Sequence, residues 1–130
     1  MAYVKNLDEL AKQNENFRQV LYTAKNSQLV LMSLKPTEEI GEETHHLDQF
    51  LYLIQGQGKA VLNGVEQNIE QGFGVVVPAG TKHNIINTSQ TNELKLITIY
   101  SPPDHKDGII HATKQDAIKN DIEFDGQTTE

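Results

Sequence analysis

Apolar positions in this chain recur at two periods. In NLDELAKQN (Asn6–Asn14), Leu7, Leu10 and Ala11 fall at i, i+3 and i+4, one face of a short helix, with Asn6 or Asp8 placed to cap it. Beyond it the period drops to two. FRQVLYTA, QLVLMSL, QFLYLIQG, KAVLNG, FGVVVPAG, HNIINT and ELKLITIY are short runs rich in β-branched and aromatic residues, separated by KNS, QGQG, QGFG, PAG and TSQTNE. Many short strands at near-regular spacing predict an all-β barrel or sandwich. The clearest hairpin is LNGVE (Leu62–Glu66), where Asn63 and Gly64 supply the positive φ of a type I′ turn.

Two of the strands are apolar on both faces. In QFLYLI, Leu51 and Leu53 share a face with Gln49 while Phe50, Tyr52 and Ile54 point the other way; LKLITIY repeats the pattern. A barrel has one inside, so the outer stripe needs a cover. The N-terminal strands are expected to supply part of it and a second copy, in a homodimer, the rest. After Tyr100 the composition turns polar, with a proline-marked exit, a short strand expected at Gly108–Ala112, a weak helix at Lys114–Lys119 and a frayed end.

The length of 130 residues suits one domain, residues 1–130, able to bury roughly two-thirds of its unfolded surface. Eighteen acidic against eleven basic residues leave a net charge of −7 with no basic cluster, which argues against nucleic acid or an anionic membrane as partner. Cysteine is absent, excluding disulfides and thiolate metal sites. No apolar run approaches a bilayer span and MAYVKNLDEL has no signal-like apolar stretch, so the expected location is cytoplasmic. The Asn87-Thr88-Ser89 sequon is accordingly expected to go unused.

The candidate chemistry lies in EETHHLDQF. Glu43 and His45 stand two apart and share a face on an extended strand, whereas His46 points away to the surface and Asp48 reads as a turn residue. Gln49 opens the next strand, which runs to Gly56. Further on, Gly72 is followed by Pro78, Gly80, His83 and Asn87. This second stretch resembles the second cupin motif, G-x5-P-x-G-x2-H-x3-N, at every fixed position. The first resembles the first cupin motif, H-x-H-x3/4-E-x6-G, with Glu43 in place of its first histidine and Gln49 in place of its glutamate. The resemblance covers about Pro36 to Tyr100 and implies a double-stranded β-helix, a jelly-roll-like barrel.

It also implies that Glu43, His45, Gln49 and His83 line the barrel mouth as metal ligands. One carboxylate, two imidazoles and one amide carbonyl suit Mn, Fe, Ni or Zn better than Ca or Mg. Glu43 has two open roles, ligand or catalytic base. Gly72, Pro78 and Gly80 set the corner that presents His83, and Leu51, Leu53, Val75 and Val77 are expected as pocket walls. His105 and His111 lie outside both motifs and read as exposed, unless a folded-back C-terminal segment carries one to the mouth. Two functions follow: a small metalloenzyme of dioxygenase, isomerase or lyase type acting on a carbonyl- or hydroxyl-bearing molecule, or a non-catalytic cupin that binds a small ligand, with a structural metal or none.

Overall fold

In the computed structural model, which describes residues 2–130, two antiparallel sheets enclose one apolar core. The elements run α1 (Leu7–Gln13), β1 (Arg18–Thr23), β2 (Gln28–Leu34), β3 (Asp48–Gln55), β4 (Gln57–Leu62), β5 (Val65–Glu70), β6 (Gly74–Val77), β7 (His83–Asn87), β8 (Leu94–Ser101), β9 (Ile110–His111) and α2 (Lys114–Lys119). The larger sheet has the order β6-β3-β8-β2-β1-β9 and the smaller β5-β4-β7. This is the all-β barrel expected from the strand pattern.

Alternation fixes which residues face inward. Leu51 and Leu53 of β3, Val30, Met32 and Leu34 of β2, and Leu94 and Leu96 of β8 meet Ala60, Ile69 and Ile85 of the small sheet in the main core. A close approach holds the second sheet together: a Cβ on Gly58 would stand 2.2 Å from the Ile86 carbonyl oxygen, so β4 can lie against β7 there only with glycine. At the β4–β5 turn Asn63 (φ 49°) and Gly64 (φ 82°) adopt the left-handed conformations the sequence predicts.

The outer apolar stripe is covered by α1, not by N-terminal strands as expected. Asn6 caps the helix, its side-chain oxygen accepting from the Glu9 N–H at 3.2 Å. Ala11, with Leu7 and Leu10 beside it, packs on Leu31, Ile54 and Ile97. Seven residues do not hold a helix in water by themselves; burying such side chains, at roughly 1.5–3 kcal/mol each, holds this one. Phe50, Tyr52 and Val76 lie beyond its reach and stay partly exposed.

The C-terminal segment is ordered by return contacts rather than frayed. β9 pairs with β1, Phe124 N–H donates to the Asp104 carbonyl, and Thr129 N–H donates to the Thr23 carbonyl. β9 is shorter than the expected Gly108–Ala112 because Gly108 takes a positive φ of 78° and turns the chain. α2 spans the expected residues, closed by a capping box between Thr113 and Asp116.

Candidate functional site

Glu43 lies outside the named strands but is tied to β7: its N–H and C=O exchange 2.9 Å hydrogen bonds with those of His83. The corner before β7 does the remaining positioning. Gly80 N–H donates to the His45 carbonyl at 2.8 Å, Thr81 N–H donates to the Pro78 carbonyl at 3.1 Å, and the Thr81 carbonyl accepts from His83 Nδ1 at 2.9 Å. A carbonyl only accepts, so Nδ1 carries the proton and Nε2 of His83 keeps its lone pair. Asp48 opens β3 instead of lying in a turn, and its carboxylate accepts from the Ala79 N–H of the same corner.

On the facing sheet, register brings Gln49 opposite Tyr100 and Leu51 opposite Thr98. Gln49 Nε2 donates to Thr98 Oγ1 at 2.9 Å, which orients the amide, and its Oε1 is buried with no donor. Glu43, His45, Gln49, His83 and Tyr100 therefore converge, with Ile40 and Leu51, on a cavity of about 10 Å³, roughly one water or ion in size. The His45 and His83 rings stand 5.2 Å apart, and Tyr100 presents an edge to His45 at 6.2 Å.

His45 Nε2 and Glu43 Oε2 are 2.8 Å apart. Burial pushes the Glu43 carboxyl up, but the hydrogen bond and charge of His45, helped by Arg18 and His83, hold it below its ordinary value. The same hydrogen bond raises the His45 pKa against the opposing effect of burial. The contact thus favours the carboxylate form of Glu43 and the protonated form of His45. Burial drives the Tyr100 phenol far up, more than Arg18 can offset, so it stays a donor.

Among the described residues, no three His, Asp or Glu side chains are grouped closely enough to hold an ion, because Glu43 and His45 are turned to each other. The donor chemistry nevertheless fits a first-row divalent ion. Gln49 Oε1 is an orphaned buried acceptor, His83 Nε2 is an unshared lone pair, and the Glu43–His45 proton occupies the place where those two side chains would hold a metal. Metal and proton compete for the same atoms.

His105 and His111 are buried, not exposed; each is 4% accessible. The folded-back segment carries His105 to the edge of Tyr100, 5.0 Å between centroids, and Gln28 clamps it there by accepting from the His105 N–H and donating to its carbonyl. Neither ring nitrogen of His105 has a hydrogen bond; Asp104 and Asp121 stay 3.5 and 3.8 Å away. His111 Nε2 donates to the Asn120 carbonyl at 3.0 Å and Nδ1 faces Arg18. His46 is exposed. Of the expected pocket walls only Leu51 lines the cavity; Leu53, Val75 and Val77 fill the core below. A mouth cleft of about 420 Å³, bounded by His45, Leu47, Pro103, Asp104 and Phe124, opens beside the cluster. Two further grooves along β4 and β5, of about 410 and 320 Å³, are lined by none of the histidines. Arg18, Thr98 and Tyr100 were not among the residues the sequence pointed to. Arg18 did carry a signal, a charge on the same strand parity as Val20.

A family model described as "Cupin domain" matches residues 30–100. The uncharacterised protein YrkC of Bacillus subtilis is 46% identical over 124 residues, covering 89% of this chain and 66% of its own. An uncharacterised protein of Acanthamoeba polyphaga mimivirus is 45% identical over 113 residues, covering 83% and 70%. The chain thus spans about two thirds of the length of these relatives. A crystal structure from Bacillus halodurans superposes with a TM-score of 0.90 at 36% identity, over 92% of this chain and 96% of that one.

Proposed function

The chain belongs to the cupin family, and from that premise we propose that it is a divalent-metal cupin acting on a small carbonyl- or hydroxyl-bearing molecule admitted through the mouth cleft. The observation that carries this reading is the Gln49 carbonyl oxygen: buried, oriented by Thr98, without a donor, and sharing its cavity with the free Nε2 of His83. A buried acceptor left without a partner is destabilising by about 1–3 kcal/mol, and an ion of Mn, Fe, Ni or Zn would relieve it. Glu43, His45, Gln49 and His83 would hold that ion, which supplies Lewis acidity toward a ligand oxygen.

The surrounding residues support chemistry at that position. Glu43 and His45 hold one proton between them beside the cavity, and Tyr100 keeps its phenolic proton. Leu51, Ile40 and Ile85 keep the cavity wall dry, which strengthens each polar interaction in it. The test is elemental analysis of protein grown with Mn, Fe, Ni and Zn supplied. Wild-type protein should retain one of them, and His83→Ala should lose it; metal-free wild-type protein from such cultures would sink the reading.

The alternative, a ligand-binding cupin without catalysis, draws support from the Glu43–His45 contact, which satisfies both side chains with no metal. It predicts ligand protection without turnover whichever metal is restored.

A further inference from the structure

Arg18 projects from β1 into the barrel interior and is 6% exposed. A guanidinium does not lose its charge at any physiological pH, so a buried one ordinarily meets a carboxylate. Among the described residues, no carboxylate pairs with it within 4 Å. Nη1 stands 3.4 Å from His111 Nδ1, which presents a lone pair because the opposite nitrogen donates to Asn120. The Phe17 ring lies 5.4 Å from the guanidinium carbon. Nε is buried with no acceptor at all. The cation is solvated by the His111 ring, the Phe17 face and the Tyr100 phenol, and the Nε donor of its fork is unused.

That fork borders a cavity of about 140 Å³ between β1 and α2, lined by Phe17, Arg18, Ile40, Glu43, Lys114 and Asp121. Its two cations differ in setting from its two carboxylates: Arg18 is buried without an ion pair, whereas Glu43 is turned to His45 at 2.8 Å and the Asp121 side chain is 64% exposed to solvent. Glu43 and Ile40 also line the small donor cavity, so the two spaces share a wall. A ligand anchored at Arg18 therefore reaches the proposed metal donors by passing one side chain.

We propose that this cavity is a carboxylate-binding subsite in which Arg18 receives the anionic group of the ligand. The assignment rests on the metal-cupin reading for what happens next to Glu43, but binding at Arg18 does not require a metal. A planar fork of N–H donors matches a carboxylate in two parallel hydrogen bonds, whereas a tetrahedral anion gains no such advantage from Phe17 and Ile40 on either side. The volume restricts the ligand to a small organic acid.

The test is thermal unfolding in acetate, malonate or inorganic phosphate at matched ionic strength. Acetate and malonate should raise the Tm of wild-type protein in proportion to the logarithm of their concentration, and phosphate should not. Arg18→Met should weaken that protection tenfold or more while leaving the Tm of ligand-free protein equal or higher, because an unpaired buried charge has been removed. Arg18→Lys keeps the charge without the fork and should bind several-fold more weakly; it decides the matter if the methionine variant does not fold. His83→Ala should keep the carboxylate effect even though it loses metal, which separates this proposal from the metal reading. Protection that survives intact in Arg18→Met, disappears in His83→Ala, favours phosphate, or is absent from wild type overturns the assignment.

Discussion

Glu43 and His83 exchange both backbone hydrogen bonds, 2.9 Å each way, although Glu43 belongs to no named strand. Two of the four proposed donors are thereby fixed by main chain, independently of any ion. His45 reaches the cluster from two residues along and is held by the same corner through Gly80. The site is preorganised, and its side chains can be altered without removing the scaffold that presents them.

Metal retention should depend on the proton between Glu43 and His45. The pairing raises the His45 pKa above its ordinary 6.5. As pH is lowered, apparent metal affinity should then start to fall before pH 6.5 is reached, by about tenfold per unit as one proton competes. Glu43→Gln removes the charge but keeps an oxygen, and the His45 ring should titrate lower by NMR in metal-free protein. If Glu43 is a ligand, retention in this variant drops roughly tenfold and excess metal rescues function. If it is a base, metal content is normal and function is lost without rescue.

Stability should fall in mild acid because of His105. Burial first, and then the Arg18 charge and the neighbouring His111 and His45 rings, push its pKa down to about 3, against about 6.5 in the unfolded chain. Between those values the unfolded chain holds one more proton than the folded one. The contribution is full above about 6.5 and is lost as pH falls toward about 3, with a slope approaching about 1.4 kcal/mol per pH unit. Urea midpoints at pH 7, 5 and 4 should show it, and His105→Phe should flatten the trend. An unchanged slope in that variant would assign the acid sensitivity to other groups.

Lys95 should matter for the N-terminal helix. It is 2% exposed, donates to the Asn14 carbonyl at the end of α1, and pairs with Glu15 at 3.4 Å and Glu93 at 3.5 Å. Lys95→Met leaves that carbonyl without its donor and should destabilise the protein by about 1–3 kcal/mol. Faster amide exchange across Leu7–Gln13 than across β3 would be the accompanying sign. Uniform loss of protection would mean that α1 is not separately anchored.

We expect a homodimer through the outer face of β3 and β6. Phe50 and Tyr52 are each 37% exposed and Val76 is 66% exposed, with Phe50 opposite Val76 in register. Light scattering at micromolar concentration should give twice the 14.6 kDa chain mass, and Phe50→Lys should return it to one. A monomeric wild-type protein ends the expectation.

Local patterns were the readable part of this chain. Asn63-Gly64 and the Lys114–Lys119 helix depend on neighbours in sequence, and both form where the pattern places them. The position of His83 was readable because glycine and proline spacing fixes the corner before it. Long-range packing was not. Nothing local marks His105 as buried, since its place depends on Gln28, 77 residues away. The helix covering Leu31 and Ile97 was legible as a helix, but its docking site was not. Arg18 is the intermediate case: alternation placed it inward beside Val20, and only the structure reveals that no carboxylate follows it.

The barrel and its C-terminal return divide the labour between them. Residues 43–83 supply the proposed donors, whereas α2 and the segment after it wall the Arg18 cavity with Lys114, Ala117, Ile118 and Asp121, and β9 sets His111 against Arg18. The return is fastened by a few replaceable contacts, chiefly the Gln28 amide and two β9 register pairs. Ligand preference can therefore drift, or be engineered, by exchanging residues 104–124 while the barrel and its donor atoms remain untouched.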